Sequence, residues 1–247
     1  MRLDQLLLDR ALAQDLSAAQ AMILAGEVYL NGERADKPGS RFSPSVTLHL
    51  REKCPYVSRG GVKLAAGLDH FQISVEGAVC ADLGASSGGF TDCLLQRGAK
   101  RVFAVDVGYG QLAWKLRQDP RVKVIERFNA RRITPTEIDN APLDLAVLDL
   151  SFISLTTILP AVFRLFPDKL AVVALIKPQF ELPREDVEAG GVVKSPLLHQ
   201  QAVEKIEDFV RSAALTSHGT MVSPITGPKG NREFLIYITS TNNQNRP

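Results

Sequence analysis

Cysteine is scarce in this sequence. Cys54, Cys80 and Cys93 are the only three, and none of their spacings is that of a metal site. An odd count without pattern excludes a disulfide framework and favours a reducing compartment, so the cytoplasm is the expected location. The four histidines, His49, His70, His199 and His218, form no metal-binding or triad pattern, and no metal is expected. Long apolar runs are missing as well. The longest, Leu170 to Ile176, is far too short to cross a bilayer and reads as a central strand. Charges interrupt the first sixteen residues, so no signal peptide is expected and no membrane role follows. Ser86 and Ser87 lie in no G-x-S-x-G elbow, which removes the hydrolase reading. Repeats and low-complexity segments are absent. Net charge is only +2, so overall charge says little about partners.

What is present is an ordinary globular composition, 45% apolar and 23% charged over 247 residues. That length allows one large domain, or a medium domain and a small module. The most informative stretch is Asp82-Leu83-Gly84-Ala85-Ser86-Ser87-Gly88-Gly89-Phe90-Thr91-Asp92. An apolar run, Ala78 to Ala81, precedes it as a buried strand, and a helical segment from Phe90 to Arg97 follows. Strand, glycine turn and helix let backbone approach a nucleotide-like ligand closely. The spacing is not the G-x-G-x-x-G of a dinucleotide site, which argues against a nicotinamide-dependent dehydrogenase. An acid at the strand end followed by Gly84 and Gly88-Gly89 suits S-adenosylmethionine (SAM) better, because an acid can hold its amine. Asp106 ends a second strand, 24 residues beyond Asp82, about where a carboxylate binds ribose hydroxyls in such folds.

From residue 77 onward strands and helices alternate. Strands are expected at 78–82, 101–106, 122–126, 143–148 and 170–176. Helices lie between them, including Leu155 to Leu165 and His199 to Ala214. Alternation of this kind predicts a parallel sheet covered on both faces. At the end, Thr220 to Val222 and Phe234 to Ile238 flank a turn, so the last strand is expected to be antiparallel. The fold class is therefore α/β, a Rossmann-like, mostly parallel seven-stranded sheet, with a small amino-terminal α+β module. The expected divisions are 1–53 for that module, 54–60 for a linker, 61–240 for the α/β domain and 241–247 for a disordered tail.

In the small module Leu3, Leu6, Leu7 and Ala11 have helical spacing. Ser17 is the expected cap of a second helix, Ala18 to Ala25, which Gly26 ends. Val28-Tyr29-Leu30 before Asn31-Gly32 signals a hairpin, and Val46 to Leu50 alternates as another strand. Arg2-Leu3-Asp4, Ala25-Gly26-x-Val28, Asn31-Gly32 and Lys37-Pro38-Gly39 resemble the RNA-binding module first seen in ribosomal protein S-four. Two positions depart from its basic pattern, Ala18 and Glu27, and through Lys53 the module has seven bases and seven acids. Charge is concentrated elsewhere: residues 94–132 carry ten Lys and Arg against three acids, a candidate phosphate-binding face.

Four charged residues fall at or near the expected carboxyl ends of the strands. Asp149 and Lys177 end strands, Glu233 opens the last one, and Lys63 lies in the helix before the sheet. Methyl transfer from a sulfonium needs a nucleophile held in line and a means of removing its proton. A ribose hydroxyl is a weak acid, and a lysine can activate it when desolvation or a second cation lowers its basicity. Nearby acids act in the opposite direction, so residue types alone leave the net sign open.

Taken together, Ser58-Arg59-Gly60-Gly61-Val62-Lys63-Leu64, Asp82 to Asp92, Val105 to Leu112, Asn129-Ala130-Arg131, Asp149 to Ser154, Ile176 to Glu181 and Gly230 to Phe234 resemble the TlyA (haemolysin A) family. These are ribosomal RNA 2′-O-methyltransferases related to the FtsJ-like enzymes. The resemblance implies a catalytic tetrad of Lys63, Asp149, Lys177 and Glu233. It implies SAM as cofactor, held by Asp82, Gly84, Ala85, Ser86, Gly88, Gly89, Phe90, Asp106, Asn129 and Asp149. It implies cytidine ribose in ribosomal RNA as substrate and ribosomal subunits as partners. Arg2, Arg10, Arg34, Lys37, Arg59, Arg131 and Arg132 are the candidate RNA-binding residues. Two other classes compete with this reading: a non-catalytic RNA-binding or assembly factor, and a membrane-lytic protein as the haemolysin name suggests.

Overall fold

The apolar runs that read as strands assemble into one seven-stranded sheet in a computed structural model that describes residues 1–51 and 54–240. Two units are separable, Met1–Lys53 and Cys54–Pro247. The expected tail, 241–247, lies outside the described residues.

The smaller unit contains α1 (Leu3–Asp9), α2 (Leu16–Leu24), β1 (Val28–Leu30), β2 (Glu33–Arg34) and β3 (Leu48–Leu50). Leu3, Leu6 and Leu7 pack against Ala19, Ile23, Val28 and Leu30. Ser17 is not the cap of α2. Asp15 takes that place and accepts from the Ala18 N–H at 2.7 Å, leaving Ser17 inside the first turn. A carboxylate accepts strongly at a helix N-terminus and favours the dipole there. Gly26, at φ +71°, ends the helix: its own N–H reaches Ile23 and that of Glu27 reaches Met22. Asn31 and Gly32 both take positive φ, as a tight hairpin between β1 and β2 requires.

The larger unit runs α3 (Gly60–His70), β4 (Val79–Leu83), α4 (Gly89–Gln96), β5 (Arg101–Val105), α5 (Trp114–Arg117) and β6 (Val122–Ile125). It continues through β7 (Leu145–Leu148), α6 (Leu155–Phe163), β8 (Ala171–Ile176), α7 (Pro178–Glu181), α8 (Pro196–Ser212), β9 (Leu215–Val222) and β10 (Phe234–Ser240). Strand order is β6-β5-β4-β7-β8-β10-β9. All neighbours from β6 to β8 are parallel, and β10 runs antiparallel to both β8 and β9. Buried side chains cover both faces, which is why the central strands read as unbroken apolar runs rather than alternating ones.

Residues 54–60, expected as a linker, are held on this unit. The Val57 N–H donates to Asp92 at 2.8 Å, and Tyr56 packs where a Cβ on Gly61 would fall.

Register sets out the site. Leu83 pairs with Val105 on one side and Leu148 on the other, so Gly84, Asp106 and Asp149 leave the sheet along one edge. Phe234 pairs with Ile176, which brings Glu233 to the same edge as Lys177 although β10 runs the other way. Chain order reverses on either side of β4, and open α/β sheets bind ligands at that switch.

Candidate active site

At the end of β4 the chain must turn sharply before α4 begins. Gly84 and Gly88 take φ of +91° and +95°, which side chains rarely adopt. A Cβ on Gly84 would stand 2.6 Å from the Asp149 carbonyl oxygen, so glycine also permits the close approach of β7. The turn is tied to the neighbouring strand: the N–H groups of Gly84 and Ala85 both reach the Val105 carbonyl. Asp106 holds it from the other side, accepting from Ser86 N–H at 2.8 Å and from Gly108 N–H at 2.6 Å.

Gly89 does something different. A Cβ there would meet Ser58 Oγ at 2.2 Å and the Gly61 nitrogen at 2.8 Å. Without it α3 can lie close on α4, and that contact delivers Lys63 to the loop.

Two adjoining cavities open at this edge. The larger, about 440 Å³, is lined by Gly84, Ser86, Asp106, Asn129, Asp149 and Phe152 among others. The smaller, about 290 Å³, is lined by Arg59, Lys63, Ala85, Gly89, Phe90 and Lys177 among others. Gly84, Ser86, Asp149 and Ser151 belong to both walls.

The four charged residues arrive as two ion pairs. Lys63 Nζ lies 2.5 Å from Glu233 Oε2, and Lys177 Nζ lies 2.6 Å from Asp149 Oδ1. Lys63, Lys177 and Glu233 are buried, and the Asp149 side chain is 23% exposed. Gly227 leaves the room that the Glu233 carboxylate occupies, since a Cβ there would overlap Oε1. Lys177 also donates to Ser151 Oγ at 3.2 Å. Both lysines face the smaller cavity, each beside one carboxylate.

Asp82 and Gly88 stand on neither cavity wall. Asp82 is fully buried beneath the loop, accepting from the Thr91 hydroxyl at 2.6 Å, while its Oδ1 has no partner. Burial pushes this carboxyl up to about 7, with Asp149 and Asp106 adding to the effect. Gly88 instead makes room for Leu112 and Leu116. Asn129 lines the larger cavity and also caps a short turn by accepting from the Arg131 N–H.

The candidate RNA-binding residues are dispersed. Arg2 pairs with the buried Asp4, and Arg10 donates to the carbonyls of Pro44 and Val46, so both serve the small unit's own structure. Arg34 and Lys37 are exposed there. In the larger unit Arg59 and Arg131 line the cavities and Arg132 is exposed. The expected basic face over 94–132 is largely neutralised. Arg97, Arg101, Lys115, Arg117, Arg121 and Lys123 all pair with carboxylates, several of them outside that window. Arg127 lies over the Tyr109 ring at 4.1 Å.

Sequence reasoning passed over Ser151, two residues after Asp149, whose hydroxyl meets Lys177. It also passed over Phe152, which is 90% exposed at φ +65° and packs against Phe180. No pattern in the sequence marks an exposed phenylalanine, whereas a serine so near a candidate acid is a usable signal. Among the described residues no cluster of His, Cys, Asp and Glu is arranged to hold a metal. No helix among them is long and apolar enough to cross a membrane.

Residues 56–239 match the FtsJ-like methyltransferase family, and residues 1–48 match the S4 domain. The 16S/23S rRNA (cytidine-2′-O)-methyltransferase TlyA of Mycobacterium tuberculosis is 44% identical over 239 residues, covering 96% of this chain and 89% of that protein. Hemolysin A of Brachyspira hyodysenteriae is 40% identical over 238 residues, covering 96% of this chain and 99% of that protein. Among solved structures, a candidate hemolysin from Streptococcus thermophilus is 43% identical, covers 99% of this chain and 90% of its own, and superposes with a TM-score of 0.76.

Proposed function

The chain belongs to the FtsJ-like methyltransferase family, in company with the TlyA and hemolysin A proteins, and from that premise we propose that it methylates the 2′-hydroxyl of a cytidine ribose in ribosomal RNA with SAM. The observation that carries this reading is the pair of contacts made by two buried lysines, Lys63 to Glu233 and Lys177 to Asp149, with both lysines on the wall of one cavity beside the glycine loop.

The residues present suit the cofactor. Asp106 stands on the larger cavity with both oxygens oriented by backbone N–H groups, a fixed acceptor for ribose hydroxyls. Asp82 Oδ1 is an unmet acceptor beneath the loop. When bound, SAM supplies a methyl group on a positively charged sulfur, which departs as a neutral thioether.

The chain's part is positioning and proton removal. A ribose entering the smaller cavity meets Lys177 and Lys63. Lys177 first gives up a proton to solvent and then, as the amine, takes the hydroxyl proton as the oxygen–carbon bond forms. Asp149 and Ser151 aim its lone pair and stabilise the ammonium it becomes. Lys63, fixed by Glu233, supplies a second positive charge that stabilises the oxygen as it loses its proton. Arg59 and Arg131 at the cavity walls are suited to backbone phosphates, and the S4 domain supplies the family's RNA-binding module. The cytoplasm, where ribosomes are made, is the corresponding location.

Labelled methyl transfer from SAM to unmodified ribosomal subunits tests this. Label that makes the adjoining phosphodiester resistant to alkali identifies a 2′-O-methyl ribose. Label on a base would leave the cofactor assignment intact and overturn the ribose chemistry.

A further inference from the structure

Glu181 is buried, at 4% exposure, and no step above uses it. It closes α7, the single turn that starts directly after Lys177. Its carboxylate reaches across to the start of α6. Oε1 accepts from the Leu155 N–H at 2.8 Å, and Oε2 accepts from the Ser154 hydroxyl at 2.5 Å. Lys205 of α8 lies 3.4 Å from Oε2 and donates to the Glu181 carbonyl at 2.5 Å. Three elements therefore meet on one side chain: the turn after Lys177, the start of α6 and the middle of α8.

What lies between is the segment from Asp149 to Ser154. It carries Asp149 and Ser151, the two groups that touch Lys177, and Phe152 in its left-handed conformation. At its first end the segment is fixed by β7, where the Asp149 N–H donates to the Leu83 carbonyl. Its second end is fixed by Glu181. An ordinary helix cap serves only its own helix, whereas this one is supplied from four residues beyond the lysine that the capped segment must meet.

We propose that Glu181 is a positioning residue for methyl transfer, a strut that sets Asp149 and Ser151 against Lys177 by anchoring the far end of their loop. The proposal rests on the reading of Lys177 and Asp149 given above. Glu181 touches neither substrate nor cofactor. Its effect is on the geometry of the contacts that Asp149 and Ser151 make with Lys177, and displacement of about 1 Å at such a site costs on the order of 100-fold in rate.

The test compares Glu181→Ala, Glu181→Gln and Ser240→Ala. Ser240 accepts from the Leu170 N–H at the opposite end of β8 and serves as a destabilised control away from the site. Below every variant's melting temperature, at saturating SAM and RNA, Glu181→Ala is expected to lower kcat about 100-fold. Glu181→Gln, which keeps an acceptor for Leu155, should recover most of that loss, and Ser240→Ala should keep the wild-type kcat. A wild-type kcat in folded Glu181→Ala would reduce the residue to a helix cap. An equal fall in Ser240→Ala would do the same. If Glu181→Ala does not fold, Ser154→Ala replaces it, and an unchanged kcat there would refute the strut. Hydrogen exchange of the amides of 150–155 is read in the same variants and should quicken in Glu181→Ala alone. Exchange needs no turnover, so an inactive wild type would defeat the functional reading while the strut is still judged by exchange.

Discussion

Lys63→Met separates what the buried pair does for the fold from what it does for the reaction. In the wild type the Glu233 side chain is fully buried with Lys63 at 2.5 Å, and its Oε1 already lacks a partner. Removing the lysine strands a charge that cannot turn towards water, because Gly227 and the start of β10 enclose it. Breaking one side of a buried pair costs about 3–5 kcal/mol. For a unit of this size that is a fall in Tm of about 6–20 °C. Replacing both partners by apolar residues of similar volume is often neutral. Lys63→Met/Glu233→Met should therefore melt near the wild-type temperature and still transfer no methyl. Urea and thermal unfolding read the first expectation, and labelled transfer to ribosomal subunits reads the second. A single variant as stable as wild type, or a double variant that remains active, would refute the reasoning.

Two further outcomes follow from the loop. Gly84→Ala places a Cβ 2.6 Å from the Asp149 carbonyl oxygen at φ +91°, so β7 must move; the strain is about 1–3 kcal/mol, and calorimetry should show SAM affinity lowered about tenfold. Asp82 is raised to about 7 against an unfolded value near 3.8, so the native state holds its proton where the unfolded chain has lost it. Its contribution to stability is therefore present in full below about pH 4 and is lost as pH rises through about 7. Asp82→Asn should flatten that part of the stability profile in urea unfolding measured from pH 4 to 8, and an unchanged slope would mean that the carboxyl is not the group responsible.

Much of this site could be read from residues alone, because its parts sit where a parallel sheet must end. Asp106, Asp149 and Lys177 each follow an unbroken apolar run, and a strand's carboxyl end is fixed by where that run stops. Glu233 was legible because the turn before it signals a reversal, and register then sets it beside Lys177. The limits are equally specific. Asp82 reads as a ligand for the cofactor's amine, yet the turn of Gly84 folds over it and leaves it beneath the cavity floor. Ser17 and Asp15 are both good caps, and only the backbone path decides between them. The basic stretch at 94–132 reads as free because several of its partners, Asp69, Asp92 and Asp139, lie outside it in the chain. Glu181 shows the same blindness: its partners are 26 and 27 residues away, and no local pattern joins them.

Proton removal by Lys177 is tested most directly by single-turnover methyl transfer to unmodified ribosomal subunits by wild type and Lys177→Ala, with SAM binding measured on the same samples. Lys177 is the proposed proton acceptor, and general-base catalysis contributes about 10²–10⁴-fold. The expected result is alkali-resistant label on ribose in the wild type, a loss of at least 100-fold in Lys177→Ala, and SAM affinity within a few fold of wild type. Full transfer by Lys177→Ala, or no transfer by a wild type that binds SAM and RNA, would contradict it.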